Sequence, residues 1–408
     1  MMNRRVFLKN GSLALVTLGF APAFISRTVE AVRARQKVLV GIFQRGAVDG
    51  LNMIVPFGDK GYYEARPTIA IPRPNETDGA IDLDGFFGLS PRMAALEPLF
   101  KRGEMAIVHA SGSHDETRSH FDAQDYMESG TPGNKGTRDG WMNRYLHAKE
   151  HEKASPFRAV ALAPQLPRSL QGTEPALAIG ALNQFGIRAG NQTEVFASTF
   201  EAEYAQAASS LLHSTGKDAF DAVKLLKGTN PESYAPANGA VYPRSAFGDA
   251  MRQVAQLIKS DLGLEVAFTE LGGWDTHIQQ PGRLPGLLDD FAKGIAAFAT
   301  DMGDGMADVV LVTMSEFGRA VQENGNRGTD HGHGNAMMIL GGPVKGGKVY
   351  GKWPGLAREQ RYEGRDLAIT TDFRDVFAEV VTRHLGAKDI SKIFPGYTYK
   401  QPLGILQT

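Results

Sequence analysis

The sequence predicts an α/β fold, a largely parallel sheet flanked by helices, on three observations. Short apolar runs rich in β-branched residues alternate with segments of helical periodicity. Four of those runs end in loops that hold polar and titratable side chains, and glycines punctuate the joins. In open sheets of this kind ligands bind beyond the carboxyl ends of the strands, so these loops are the places to look for chemistry.

In chain order, the first run is KVLVGIF (37–43), which leads into QRGAVDGLN. EMAIVHASGS (104–113), LEVAFTELGGWDTH (264–277) and ADVVLVTMSEFGR (307–319) repeat the design. Between them Leu284, Leu288, Phe291, Ile295 and Phe298 recur every three or four residues and line one helix face. TTDFRDVFAEVVTRHLG predicts another helix, with Asp372 as its cap, Asp375 three residues on and Gly386 as its stop. The stretch 156–243 differs, with prolines, polar turns and alanine-rich runs, and reads as a cap or subdomain inserted into a single domain spanning 35–408. GPVKGGKV (342–349) matches phosphate-loop spacing up to Lys348, but Val349 stands where Ser or Thr is needed and no helix signal follows. Nucleotide binding there is rejected.

Across 408 residues, 44 basic side chains nearly cancel 45 acidic ones, so no overall field favours nucleic acid or an anionic membrane. The absence of cysteine excludes disulfides, thiolate metal sites and a cysteine nucleophile, so any metal must be held by nitrogen and oxygen. Residues 1–34 hold the twin arginines Arg4 and Arg5, then Phe7-Leu8-Lys9 and an apolar run from Leu13 to Ile25, the layout of a twin-arginine export signal and linker. Cleavage is expected after Ala21-Pro22-Ala23 or near Ala31 or Ala34. The run falls short of the roughly 20 apolar residues that span a bilayer, so no membrane span is expected after cleavage. The expected partner in export is the twin-arginine translocase, and the expected location is periplasmic or extracellular.

The loops offer candidate ligands. Asp275 and His277 in GGWDTH lie two residues apart, so in extended chain both leave the same face and can share an ion. GTDHGHG (328–334) supplies Asp330, His331 and His333 among glycines that permit a tight bend. SEFGR offers Glu316, as a metal ligand or a helix-start acid, and Arg319, as an anion clamp. Asp49 in RGAVDG is either a ligand or a turn aspartate. In SHDETRSHFDAQD, Thr117 or Ser119 stands at a predicted helix N-terminus, where free N–H groups favour an oxyanion, with Arg118 between them. The same hydroxyls serve equally as helix caps.

Taken together, RGAVDGLN, TRSHFDAQD, DGW, GGWDTH, SEFGR, GTDHGHG and TTDFRDV resemble the secreted bacterial domain-of-unknown-function 1501 family over nearly the whole mature chain. That resemblance implies a fold akin to the alkaline phosphatase and sulfatase superfamily, with one or two divalent ions at strand ends and transfer of phosphoryl or sulfuryl groups. It implies one ion site at Asp275, His277 and His331 or His333, another at Asp49, Glu316 and Asp330, and a nucleophile at Ser119 or Thr117. Zinc is the first choice of ion, with manganese, magnesium and calcium as alternatives. Two departures stand out: Ala47 replaces the glycine usual after Arg-Gly, and Phe317 occupies the middle of the superfamily's Asp-His-Gly triplet.

The expected function is therefore an exported, metal-dependent hydrolase of phosphate or related anionic esters, with a small anionic ester as substrate. The alternative from another class is a catalytically inactive exported binding or assembly protein that keeps at most a structural metal. A metal-free carbohydrate-active protein working with paired carboxylates ranks last.

Overall fold

The computed structural model describes residues 36–149, 155–182, 225 and 233–407. The export signal expected at 1–34 lies outside the described residues. At the centre is a nine-stranded sheet. Its strands in chain order are β1 (Val38–Gln44), β2 (Met105–Gly112), β3 (Ala159–Ala161), β4 (Leu177–Ala178), β5 (Val266–Leu271), β6 (Val309–Met314), β7 (Asn335–Gly341), β8 (Lys348–Tyr350) and β9 (Thr371–Asp372). Across the sheet the order is β8-β2-β7-β6-β1-β5-β3-β4, with β9 also pairing with β2.

Every pairing in this sheet is parallel except the two made by β7, which runs antiparallel to β2 and β6. That reversal matters for the site. The residues entering β7 lie at the same crest as the residues leaving β1, β2, β5 and β6, so the loop at 328–334 meets the loops that follow four parallel strands.

β1 is buried along its whole length, as a central strand covered on both faces must be. Its alternate residues Val38, Val40 and Ile42 belong to one core with Phe247, Val254, Leu284, Leu288 and Phe291, from helices α3 (Ala246–Lys259) and α4 (Gln280–Met302). Leu39 and Phe43 belong to a second core with Trp141, Met142, Phe373 and Phe377, from α2 (Trp141–Ala148) and α5 (Phe373–Glu379). The predicted stripe on α4 is the buried face of that helix. Asp372 caps α5 by accepting the Arg374 backbone N–H at 2.8 Å, and the helix ends through a π-helical turn, Val380–His384, before Gly386 at φ +74°.

The stretch 156–243, expected as an inserted cap, is described at 156–182, 225 and 233–243. Its first part supplies β3 and β4, which extend the parallel sheet beyond β5. Such short strands carry too few residues to show a hydrophobic period, so prolines and polar turns dominate the local composition. Residues 183–232, save Leu225, lie outside the described residues. A second sheet of three strands pairs Gly88–Leu89 with Ile54–Val55 and Ile81–Asp82. No helix among the described residues is long and apolar enough to cross a membrane.

Candidate metal centre at the sheet crest

Two loops and one helix bring His120, Asp275 and His331 together, each offering one donor atom, with all three atoms within 4.8 Å of one another. His120 opens α1 (His120–Ser129), Asp275 follows β5, and His331 precedes β7. His277 joins them: its Nε2 lies 2.9 Å from His331 Nε2 and 3.0 Å from Asp275 Oδ1. His120 Nε2 stands 3.6 Å from Asp275 Oδ2, and His331 Nε2 stands 3.4 Å from Asp275 Oδ1.

The partners of the other ring nitrogens decide which atoms face inward with lone pairs. His120 Nδ1 lies 2.8 Å from Glu316 Oε1, His277 Nδ1 lies 3.2 Å from Asp330 Oδ1, and His331 Nδ1 lies 2.9 Å from the Arg118 carbonyl oxygen. Carboxylates and carbonyls only accept, so each Nδ1 carries the hydrogen and each Nε2 presents a lone pair. Three imidazole lone pairs thus face one carboxylate, an arrangement that repels itself unless a cation or an added proton enters. His120 Nε2 is buried without a hydrogen-bond partner. Burial holds the His331 imidazole below its ordinary pKa, which disfavours the proton there. Of the carboxylates Asp275, Glu316 and Asp330, Asp275 pairs with Arg319 at 2.6 Å, while Glu316 and Asp330 back the imidazoles of His120 and His277. The donor set fits a divalent ion with nitrogen and oxygen preference.

The loops are held in register by their backbones. Gly318 N–H donates to His333 O at 2.9 Å, Gly332 N–H to Gly318 O at 2.8 Å, Ala320 N–H to Asp330 O at 2.9 Å and Thr329 N–H to Thr276 O at 3.2 Å. The glycines in this loop serve close approach, since Gly328 and Gly332 do not adopt positive φ. A Cβ on Gly328 would overlap the carbonyl of His277, and one on Gly332 the carbonyl of Arg319. Ala47 takes the left-handed backbone, φ 59°, that the glycine usual at that place adopts without cost.

Several expected roles are redistributed. Asp49 is completely buried and accepts from Arg66 Nη1 and Gln280 Nε2, each at 2.6 Å. Glu316 accepts from His120, Gln124 and the Gly46 backbone, and Asp330 from His277 and Asn324. The carboxylates expected to make a second ion site therefore have separate partners and do not converge. Burial alone would raise the Glu316 carboxyl, but the bonds from His120 and Gln124 outweigh it and hold the group below the usual range. His333 leaves the cluster: the chain turns through Gly334 into β7, and its ring stacks on Tyr362 at 4.1 Å.

Arg319 is not free to grip an anion. Arg319 is fully buried and donates to the carbonyls of Ala47, Thr329, Gly46 and Trp274 and to Asp275 Oδ1. Its fork ties three loops together. Arg118 donates to Glu363 at 2.7 Å and Asp366 at 2.9 Å. Ser119 is exposed at the N-cap of α1 and makes no capping bond with its side chain, whereas Thr117 Oγ1 accepts the Ser119 backbone N–H at 3.2 Å. Sequence reasoning placed hydroxyls in this segment and missed His120 as a donor. A histidine beside two candidate hydroxyls was the available signal, but nothing in local spacing shows that α1 faces β5.

No curated protein matches the chain. Among solved structures it is similar to the lipoteichoic acid synthase LtaP from Listeria monocytogenes, at 9% identity and a TM-score of 0.39, over 91% of this chain and 77% of that one. Ps i-CgsB in complex with k-i-k-neocarrahexaose aligns at 7% identity and a TM-score of 0.42, over 89% and 74%. Thermus thermophilus alkaline phosphatase aligns at 13% identity and a TM-score of 0.30, over 70% and 60%. A family match covers residues 36–389, a span that holds every residue of the cluster. The chain therefore belongs to the family described as proteins of unknown function, DUF1501.

Proposed function

We propose that this protein is an exported metal-dependent hydrolase of phosphate or related anionic esters, acting in the periplasm or outside the cell after twin-arginine export. The observation that carries the reading is the convergence of His120, Asp275 and His331 at the crest, with each imidazole oriented by an acceptor behind it. Zinc suits that donor set best, because imidazole and carboxylate are among its common ligands. A bound divalent ion would supply Lewis-acid polarisation of an ester oxygen and a lowered pKa for attacking water or hydroxyl.

The chain's own groups support the rest. Glu316 and the Arg118 carbonyl keep the Nε2 atoms of His120 and His331 turned inward. Ser119 stands exposed at the start of α1, where unpaired backbone N–H groups stabilise negative oxygen. Phe121, 89% exposed, and Ile278, 56% exposed, directly follow His120 and His277 in the chain. They favour an ester that carries an apolar arm beside its anionic centre.

A purified mature chain supplied with zinc, manganese, magnesium or calcium should hydrolyse generic phosphate monoesters or diesters, aryl esters faster than glycerol esters. Silence with every metal, while metal is demonstrably bound, would defeat the hydrolase. The second reading, an inactive binding or assembly protein with one structural ion, draws on one observation: the buried Arg319 guanidinium is committed to four carbonyls and Asp275. Under it, Ser119→Ala would leave partner capture unchanged and there would be no turnover to lose.

A further inference from the structure

The two loops that carry Asp275 and His331 are joined beneath the surface by one side chain. Gln280, the first residue of α4, is 1% exposed. Its Oε1 accepts the hydroxyl of Thr276 at 2.8 Å and that of Thr329 at 2.9 Å. Thr276 sits between Asp275 and His277, and Thr329 immediately before Asp330 and His331. Both threonines are fully buried. The amide nitrogen of Gln280 donates to Asp49 Oδ2 at 2.6 Å, and Arg66 donates to the same oxygen at 2.6 Å. Arg66 is anchored in turn on the carbonyls of Ala320 and Val321 and on Asn52 Oδ1.

The orientation of the amide admits one solution. Reversed, its oxygen would face the Asp49 carboxylate with no hydrogen between the two oxygens, and the 2.6 Å contact would be repulsive. The carboxylate therefore fixes the amide, and the amide fixes both hydroxyls. Backbone bonds from Gln279 and Gln280 to the carbonyls of Asn326 and Arg327 bring the same helix start against the second loop.

We infer that Gln280, held by the Arg66–Asp49 pair, is the positioning residue that sets the separation of the Asp275 and His331 loops and so makes their donor atoms converge. This rests on the metal reading above. It also gives Asp49 a role that neither a ligand nor a simple turn residue would have: it orients a clasp. Breaking the clasp leaves each loop on its own strand, yet frees the loops to drift by the fractions of an ångström that a metal site registers.

The test is the affinity of the folded full chain for zinc, measured by competition with a chromogenic chelator, in the parent and in Thr276→Val, Thr329→Val, Gln280→Met and Thr276→Ser. The valines keep the shape of threonine and remove the hydroxyl. Loss of an orienting partner costs roughly tenfold to a hundredfold in metal affinity, and each valine variant should show a loss of that order. Thr276→Ser, which restores the hydroxyl, should bind as the parent does. Equal affinity in all folded variants would overturn the clasp while leaving the metal site intact. A parent that binds no zinc would overturn the metal reading itself. If Gln280→Met fails to fold, the valine variants and the serine rescue decide alone. Since the unfolding midpoint is read in chelator for every variant, a merely structural role would appear there and leave zinc affinity unmoved.

Discussion

At His120 the imidazole is useful only because Glu316 takes its Nδ1 hydrogen and leaves Nε2 facing Asp275. Glu316→Gln can keep one oxygen for the His120, Gln124 and Gly46 donors, which all share Oε1, but removes the negative charge that strengthens the bond from His120. Zinc affinity should then fall roughly tenfold to a hundredfold, as isothermal titration would report, with the α/β circular dichroism unchanged. The approach of Asp275 and His277 to one another is legible in the sequence because an i, i+2 spacing in extended chain points both side chains one way. The contribution of His120 is not, because it depends on how α1 lies across the crest. The same reasoning misplaces His333, since the spacing that pairs it with His331 holds only for extended chain and this chain turns. Arg319 reads as an anion clamp because sequence shows a guanidinium and hides the carbonyls that consume it.

Residue-level burial also sets a pH dependence remote from the cluster. His109 is buried, faces the Ile54 carbonyl with Nε2 and accepts the Ala110 N–H at Nδ1. Burial pushes its pKa from 6.5 down to about 4. The unfolded chain takes up a proton there that the folded chain refuses, so stability is full above about 6.5 and is lost as the pH falls towards 4. The thermal midpoint should drop across that window in the parent and drop less steeply in His109→Gln.

At the scale of elements, the reversal of β7 delivers the glycine-rich loop to the crest, and the glycines let it lie against two other backbones. Gly332→Ala has no direction in which to relieve its overlap with Arg319, because the obstacle is main chain. It should cost at least about 1–3 kcal/mol in denaturant unfolding, the usual range for overpacking. The strands leading into the chemistry are legible because each is an apolar, β-branched run that stops at polar residues. The parallel direction follows from the helices between them. The sense of β7 is not legible, as no crossover helix separates it from β6 and a loop of that length permits either direction. β3 and β4 escape for a different reason: their few residues are outweighed by the surrounding prolines.

For the whole molecule, two cores cover the two faces of one sheet, and the polar network at the crest is built on that rigid base. The proposed twin-arginine route carries folded proteins, so under that proposal the site would assemble before the chain crosses a membrane. Replacing Arg4 and Arg5 with lysine should leave the protein in the cytoplasmic fraction, as fractionation with an antibody would show; unchanged export would refute the assigned route. The α/β class is legible from alternation alone. The full candidate donor set is not, because it depends on atoms brought together from α1, the end of β5 and the start of β7.

The most direct test of the account is anomalous diffraction from crystals of the mature chain grown with zinc. The predicted result is a peak bonded to His120 Nε2, a carboxylate oxygen of Asp275 and His331 Nε2. A protein that crystallises with these side chains in place and no ion among them, or with zinc bound only elsewhere, would contradict it.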